Sequence, residues 1–178
     1  MPLEVCMSRE VPEPAVQMGY VVADLDAAID HWVTHAHVGP WTVFRGVTLN
    51  GRYAGADTVV TMDVAMGYTG DLQIELMQIT SSTPSPYANS AGEPLVGPHH
   101  IAWITDDLDA ALADARGRGL DELFVAEGPG TRVAYVHSPG QPGVVFEYIQ
   151  SAGMREMLAY GIEQARTWDG SNPVRSIG

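Results

Sequence analysis

The sequence contains no lysine: all nine of its basic residues are arginine, set against 22 acidic residues for a formal net charge of −13 over 178 residues. Without lysine there is no Schiff-base chemistry through an amine and no Walker-type phosphate loop, since both need that side chain. The shortage of positive charge argues against nucleic acid and against an anionic membrane surface, because either partner calls for a basic patch. A single cysteine, Cys6, excludes a disulfide framework within the chain and reads as an incidental thiol. No apolar run approaches the roughly 20 residues of a membrane span, and nothing resembles a secretory signal. A soluble cytoplasmic protein is the expectation. The length suffices for a sizeable core, as one domain or as two small modules packed together.

What the chain does contain is a repeat. Asp24-Leu25-Asp26-Ala27-Ala28 recurs letter for letter as Asp107-Leu108-Asp109-Ala110-Ala111, at an offset of 83 residues. On that register Gln17 falls on His100, Met18 on Ile101, Tyr20 on Trp103 and Val21 on Ile104. Each copy reads as a short apolar strand, an Asp as helix N-cap, and an Ala-rich helix. A second echo closes each half, Ile74-Glu75-Leu76-Met77-Gln78 against Phe146-Glu147-Tyr148-Ile149-Gln150, now at an offset of 72. The first half is therefore 11 residues longer inside.

Between these echoes the composition marks out an arm over 1–14, a first module over 15–80, a linker over 81–98, a second module over 99–150 and a C-terminal helix and tail over 151–178. Within the first module a helix runs from Asp24 to about His37, ahead of Gly39-Pro40, and Trp41-Thr42-Val43-Phe44 starts a strand. Asn50-Gly51 is the turn signal before a strand over 58–66, and Gly67 to Asp71 turns the chain into a strand over 72–80. The linker is rich in Ser, Pro and Gly and nearly uncharged. The second module gives a strand over 99–105, a helix over 107–117 and strands over 122–126, 131–137 and 143–150. A helix over 154–168 follows, and Trp168 to Arg175 finishes as a loop.

Each module thus opens on a metal-competent side chain, Gln17 or His100, and closes on a glutamate, Glu75 or Glu147. If the modules pack about a pseudo-twofold, equivalent positions converge on a shared cavity. Two carboxylates, an imidazole and an amide oxygen suit a borderline divalent ion, with one or two positions left for water or substrate. Taken singly, each has a blander reading: a structural polar residue, or, for Glu75 between Ile74 and Leu76, a side chain turned to solvent. As two matched pairs in a duplicated frame they favour a site. His31 and His35 are four apart on a helix and read as a solvated pair, His37 and His137 as structural or surface residues, and Trp41 as core or pocket wall. Met62, Met66 and Met77 suit an adaptable pocket, with core packing preferred. The tail either covers a cavity, docks on a partner, or packs as an ordinary tail.

His99-His100-Ile101-Ala102 running into Asp106-Asp107-Leu108, together with Gly143-Val144-Val145-Phe146-Glu147, resembles the vicinal oxygen chelate superfamily, the glyoxalase, bleomycin-resistance and extradiol dioxygenase group. Its methylmalonyl-CoA epimerase-type members look most similar, over about residues 15–150. The resemblance implies an α+β fold in which two tandem βαβββ modules form a curved eight-stranded cup. It places four metal positions on Gln17, Glu75, His100 and Glu147, for one divalent ion (Zn, Co, Ni, Mn or Fe). Epimerases commonly carry His at the first position, where this chain has Gln17; the set Gln, Glu, His, Glu is like that of glyoxalase I. The resemblance further implies a metal-dependent isomerase, epimerase or lyase acting on a carbonyl compound, such as an acyl-CoA thioester, through a metal-stabilised enolate. Glu147 and Glu75 are the candidates for acid and base. A homodimer with a small-molecule substrate is expected. The alternatives are a glyoxalase I-type lyase, an Fe(II) ring-cleavage dioxygenase, which one histidine instead of two disfavours, and a metal-free protein that binds a drug or hydrophobic metabolite.

Overall fold

A computed structural model describes residues 13–141, 143 and 145–177; Cys6 and most of the N-terminal arm lie outside the described residues. The first half comprises β1 (Gln17–Val21), α1 (Leu25–Ala36), β2 (Trp41–Tyr53), β3 (Ala56–Thr69) and β4 (Leu72–Ile79). The second comprises β5 (Gly97–Ile104), α2 (Leu108–Gly117), β6 (Asp121–Gly128), β7 (Thr131–His137) and β8 (Val145–Ser151). Helix α3 (Met154–Arg166) and a short strand β9 (Val174–Ile177) complete the chain. The two Asp-Leu-Asp-Ala-Ala copies act as local geometry demands: Asp24 and Asp107 sit in extended backbone and accept from the amides of Ala27 and Ala110. Each satisfies one of the unpaired donors of a helix start.

The strands form one mixed sheet in the order β3-β4-β1-β5-β8-β7-β6-β2-β9, and β2 also pairs with β3, so eight strands close into a barrel-like cup. Parallel pairs β1–β4 and β5–β8 occupy equivalent places in the two halves, and β1 meets β5 antiparallel at the seam. Along β1 the side chains alternate: Gln17, Gly19 and Val21 are buried toward the interior, whereas Met18 and Tyr20 pack outward against the α1 cluster. Helix α1 covers the outside of the first half through Leu25 and Ile29 against Trp41, Ala65 and Leu76, and α2 covers the second through Leu108, Leu112 and Ala115. The interior holds its own apolar cluster, with Met62, Phe124, Tyr135 and Ile149, and α3 lays Met154 and Leu158 over it. At Gly161 a Cβ would come within 2.2 Å of the Tyr68 ring, so glycine lets the helix seat that closely.

Two sequence expectations are corrected. Asn50-Gly51 is not a turn: both residues lie inside β2, facing Val59 and Thr58 on β3 and Glu127 and Ala126 on β6. A Cβ on Gly51 would stand 2.1 Å from the Val125 carbonyl oxygen, so the glycine serves the close strand approach that shuts the cup. The turn falls at Ala54-Gly55, whose φ values of 49° and 84° suit a two-residue hairpin connection. The tail is likewise not all loop. Trp168 packs against Gly39, the Pro173 carbonyl accepts from the Trp41 amide at 2.7 Å, and β9 pairs in parallel with the start of β2.

Candidate functional site

The site grows out of the β1–β5 seam. Gln17 lies opposite Ala102, Met18 opposite Ile101, and Gly19 opposite His100. The repeat maps Gln17 onto His100 and Gly19 onto Ala102, so the pseudo-twofold passes between Met18 and Ile101. Each ligand-type residue therefore faces a residue with little or no side chain on the other strand. The imidazole of His100 uses that space, since a Cβ on Gly19 would be 2.1 Å from its Cε1. Parallel pairing then brings Glu75 beside Gly19 and Glu147 beside Ala102, again as equivalents.

All four residues named from the repeat meet. His100 Nε2 stands 3.3 Å from Gln17 Oε1, 2.9 Å from Glu147 Oε2 and 3.5 Å from Glu75 Oε2. Gln17, His100 and Glu147 are buried, and the Glu75 side chain is only 14 % exposed, so the solvent-facing alternative for Glu75 does not hold. Glu147 Oε2 is buried with no hydrogen-bond partner, despite its closeness to Nε2. An unsatisfied buried carboxylate oxygen is costly and calls for an explanation. Donor separations of 2.9–3.5 Å are those expected between neighbouring ligands that each lie about 2.1 Å from one ion. Among the described residues no group of three or more His, Cys, Asp or Glu side chains is placed to hold a metal ion by those residues alone. The four residues are thus a cluster of donor types with one orphaned oxygen, of a chemistry that suits a divalent ion.

A layer of partners behind the four fixes how they point. The Gln17 amide donates through Nε2 to Gln73 Oε1 at 2.8 Å, and Gln73 donates in turn to the Tyr68 hydroxyl at 2.6 Å. Gln17 Oε1 is thereby left facing the cluster. His99 Nε2 is 3.0 Å from the Pro86 carbonyl oxygen, which can only accept, so that nitrogen carries a proton. Burial, together with the charge of His100, lowers the His99 pKa to about 4, so the ring is neutral and its Nδ1 is bare. His100 Nδ1, 3.0 Å away, must then donate to it. A neutral His100 consequently presents a lone pair at Nε2, the form in which imidazole binds a metal.

With no ion bound, burial alone would lower the His100 pKa, but the Glu147 and Glu75 carboxylates outweigh it and raise it to about 10. Burial pushes the Glu147 pKa up, against the pull of His100. Tyr87 and Tyr135, whose hydroxyls lie 2.8 Å apart beside the cluster, are held neutral by burial. Above this floor opens a cavity of about 330 Å³ reached by Gln17, Glu75 and Glu147. Met62, Met66 and Met77 line it, so the pocket role rather than core packing alone is what the structure shows, and Met154 and Met157 of α3 join them.

The other candidates disperse. His31 and His35 are exposed on α1 with ring centroids 4.7 Å apart, His37 is exposed at the helix end, and His137 closes β7. Trp41 is fully buried, bonded to the Val38 carbonyl, and belongs to the core. Not foreseen from the sequence were Gly19, Gln73, His99, Tyr87, Tyr135 and the α3 methionines. Of these, Gly19 carried a signal, since it and Ala102 are matched small residues two places beyond Gln17 and His100.

Residues 16–135 match the family model described as Glyoxalase/Bleomycin resistance protein/Dioxygenase superfamily. The chain belongs to that superfamily, and its two-module cup is the corresponding fold. Among solved structures it is similar to a hypothetical protein, BH1468, from Bacillus halodurans C-125, at 19 % identity over 78 % of this chain and 94 % of that one, with a TM-score of 0.55. It is similar also to methylmalonyl-CoA epimerase from Mycobacterium tuberculosis, at 21 % identity over 80 % of this chain and 91 % of that one, with a TM-score of 0.53. No curated protein matches the sequence. Among the described residues no helix is long and apolar enough to cross a membrane.

Proposed function

We propose that the protein is a metal-dependent isomerase or epimerase that moves the proton alpha to a carbonyl group, with Gln17, Glu75, His100 and Glu147 as the ligand set. One observation carries this: three oxygen donors stand within 3.5 Å of His100 Nε2, one of them buried and unpartnered, at the floor of an apolar cavity. A divalent ion bound there supplies Lewis acidity toward a carbonyl oxygen. Gln17 and His100 orient the set, held by Gln73 and His99. Glu147 and Glu75, related by the pseudo-twofold, face the cavity from two sides, an arrangement suited to removing a proton on one face and returning it on the other. A carboxylate must leave the ion to act as base, and burial, which raises the Glu147 pKa in the metal-free protein, then brings it closer to the strength that role needs. The buried tyrosines keep a neutral, water-poor wall behind the carboxylates. The likeness to an epimerase in fold agrees with this reading; a cytoplasmic homodimer goes with it.

The test is Glu147→Gln, with transfer of solvent deuterium to the alpha carbon of a carbonyl substrate as readout. A loss of exchange by two or more orders of magnitude is expected, and undiminished exchange would refute the role of Glu147 as base. The apolar cavity equally suits a protein that only sequesters a hydrophobic compound. Elemental analysis of untagged protein separates the two, because a sequestering protein neither carries nor takes up a stoichiometric divalent ion.

A further inference from the structure

We infer, building on the proton-transfer reading above, that the substrate is a neutral and largely apolar ketone, aryl or alicyclic, rather than a thioester carrying phosphate groups. Most of the polarity of the cavity lies on its floor, at Gln17, Glu75, Glu147, Tyr87 and Tyr135; the Thr131 and Ser151 hydroxyls are bonded to each other, and among the described residues no arginine or histidine lines the cavity. The walls come mostly from aliphatic residues, Phe44 and five methionines, whose flexible, polarisable thioethers fit irregular apolar or aromatic shapes. The two glutamates balance the charge of any divalent ion, so the floor has no positive charge to spare for an anionic ligand.

The arginines nearest the cavity are turned out of it by strand alternation. Phe44 and Thr131 face in, while Arg45 pairs outside with Asp26 and Asp63, and Arg132 with Asp109. Arg155 follows the cavity residue Met154 but is engaged by Glu13 and Asp106. Arg175 lies in an adjoining groove that shares Phe44, Met66 and Met157 with the cavity, bonded there to Gln164, and it is not among the residues lining the cavity itself. A polyanionic carrier group at the mouth would therefore approach a chain of net charge −13 with Arg45, Arg132 and Arg155 already paired to carboxylates. A cavity of about 330 Å³ is large enough to take a bicyclic or phenyl-substituted ketone whole.

The test is calorimetric titration of metal-reconstituted protein with 2-phenylcyclohexanone, acetyl-CoA and methylmalonyl-CoA, each followed for alpha-deuterium exchange. The ketone is expected to bind at least tenfold more tightly than either thioester, with an affinity unchanged between low and high salt. Met157→Trp, a change at a half-exposed position of α3 that fills the cavity mouth, should weaken the ketone at least tenfold while circular dichroism stays the same. The inference is overturned if either thioester binds as tightly as the ketone, if the ketone does not bind at millimolar concentration, or if Met157→Trp leaves ketone affinity intact. Should a thioester bind and exchange, the proton-transfer reading survives and only the substrate class fails. Should the ketone bind without exchange, the cavity's preference for a neutral apolar ligand survives and the proton-transfer reading fails.

Discussion

Gly19 and His100 face each other across the β1–β5 seam, and the imidazole occupies the space a side chain at position 19 would take. The nearest ring atom is 2.1 Å from an idealised Cβ, and the ring is buried, so it has no solvent to retreat into. Gly19→Ala should displace His100 from Glu147 and Gln17, lowering divalent-ion affinity at least tenfold and stability by about 1–3 kcal/mol. Metal titration and urea unfolding of the same preparation check both effects.

Gln73 accepts from the Gln17 amide nitrogen, which sets the direction of the Gln17 oxygen, and is itself fully buried. Gln73→Leu keeps the bulk but strands the Gln17 Nε2 and the Tyr68 hydroxyl. Ion affinity is expected to drop about 10- to 100-fold, the usual cost of losing a supporting hydrogen bond, with a stability loss of about 1–3 kcal/mol. Competition against a chelator of known affinity measures the first. Unchanged affinity would show that Gln17 does not need this support.

How far the site was legible depended on whether its signals were local or shared between distant strands. The Asp-Leu-Asp-Ala-Ala copies declared two helix starts because capping is decided within four residues, and the same register singled out His100 over His99. Gln73 and Tyr87 were invisible, since what matters about them is a partner 56 or 48 residues away. Met62 and Met77 looked like core because an inward residue of a packed barrel and one lining a cavity share the same alternation. Strand β9 is exposed at all four positions and carries no alternation; it exists through backbone bonds to β2. Asn50-Gly51 misled for the opposite reason, a strong turn dipeptide used for a tight strand crossing.

The charge state of the cluster predicts an alkaline weakness of the metal-free protein. His100 has its pKa raised to about 10 in the fold, by carboxylates that outweigh burial, against about 6.5 when unfolded. Its contribution is fully present below pH 6.5 and is lost as pH climbs through 10; Glu147, raised by burial, acts in the same direction. His99, lowered to about 4, works on the acid side, where stability is lost as pH falls from 6.5 toward 4. Unfolding of chelator-treated protein should therefore be hardest near pH 6.5 and easier by a few kcal/mol at pH 10. His100→Gln should flatten the alkaline limb. A wild-type curve level from pH 6.5 to 10 would contradict the pairing.

The closure of the cup rests on Gly51, and this can be tested apart from any chemistry. Strand β2 is pinned on three sides, by β3 along its length, by β9 at its start and by β6 at its end. The obstacle to a side chain at 51 is the Val125 carbonyl and the Ala126 backbone, not the movable tip of a side chain. Gly51→Ala must therefore push β6 from β2. Ala gains something back through the unfolded state, but only about 0.4–1 kcal/mol, too little to offset separating a strand pair in a packed barrel. A net loss of about 2–3 kcal/mol is expected, with faster amide exchange confined first to Asn50–Tyr53 and Phe124–Glu127. Gly55→Ala, at a positive φ with open space around it, should cost only about 1 kcal/mol and leave that exchange pattern alone. If the two substitutions behave alike, the close approach of β2 and β6 at Gly51 is not what closes the cup.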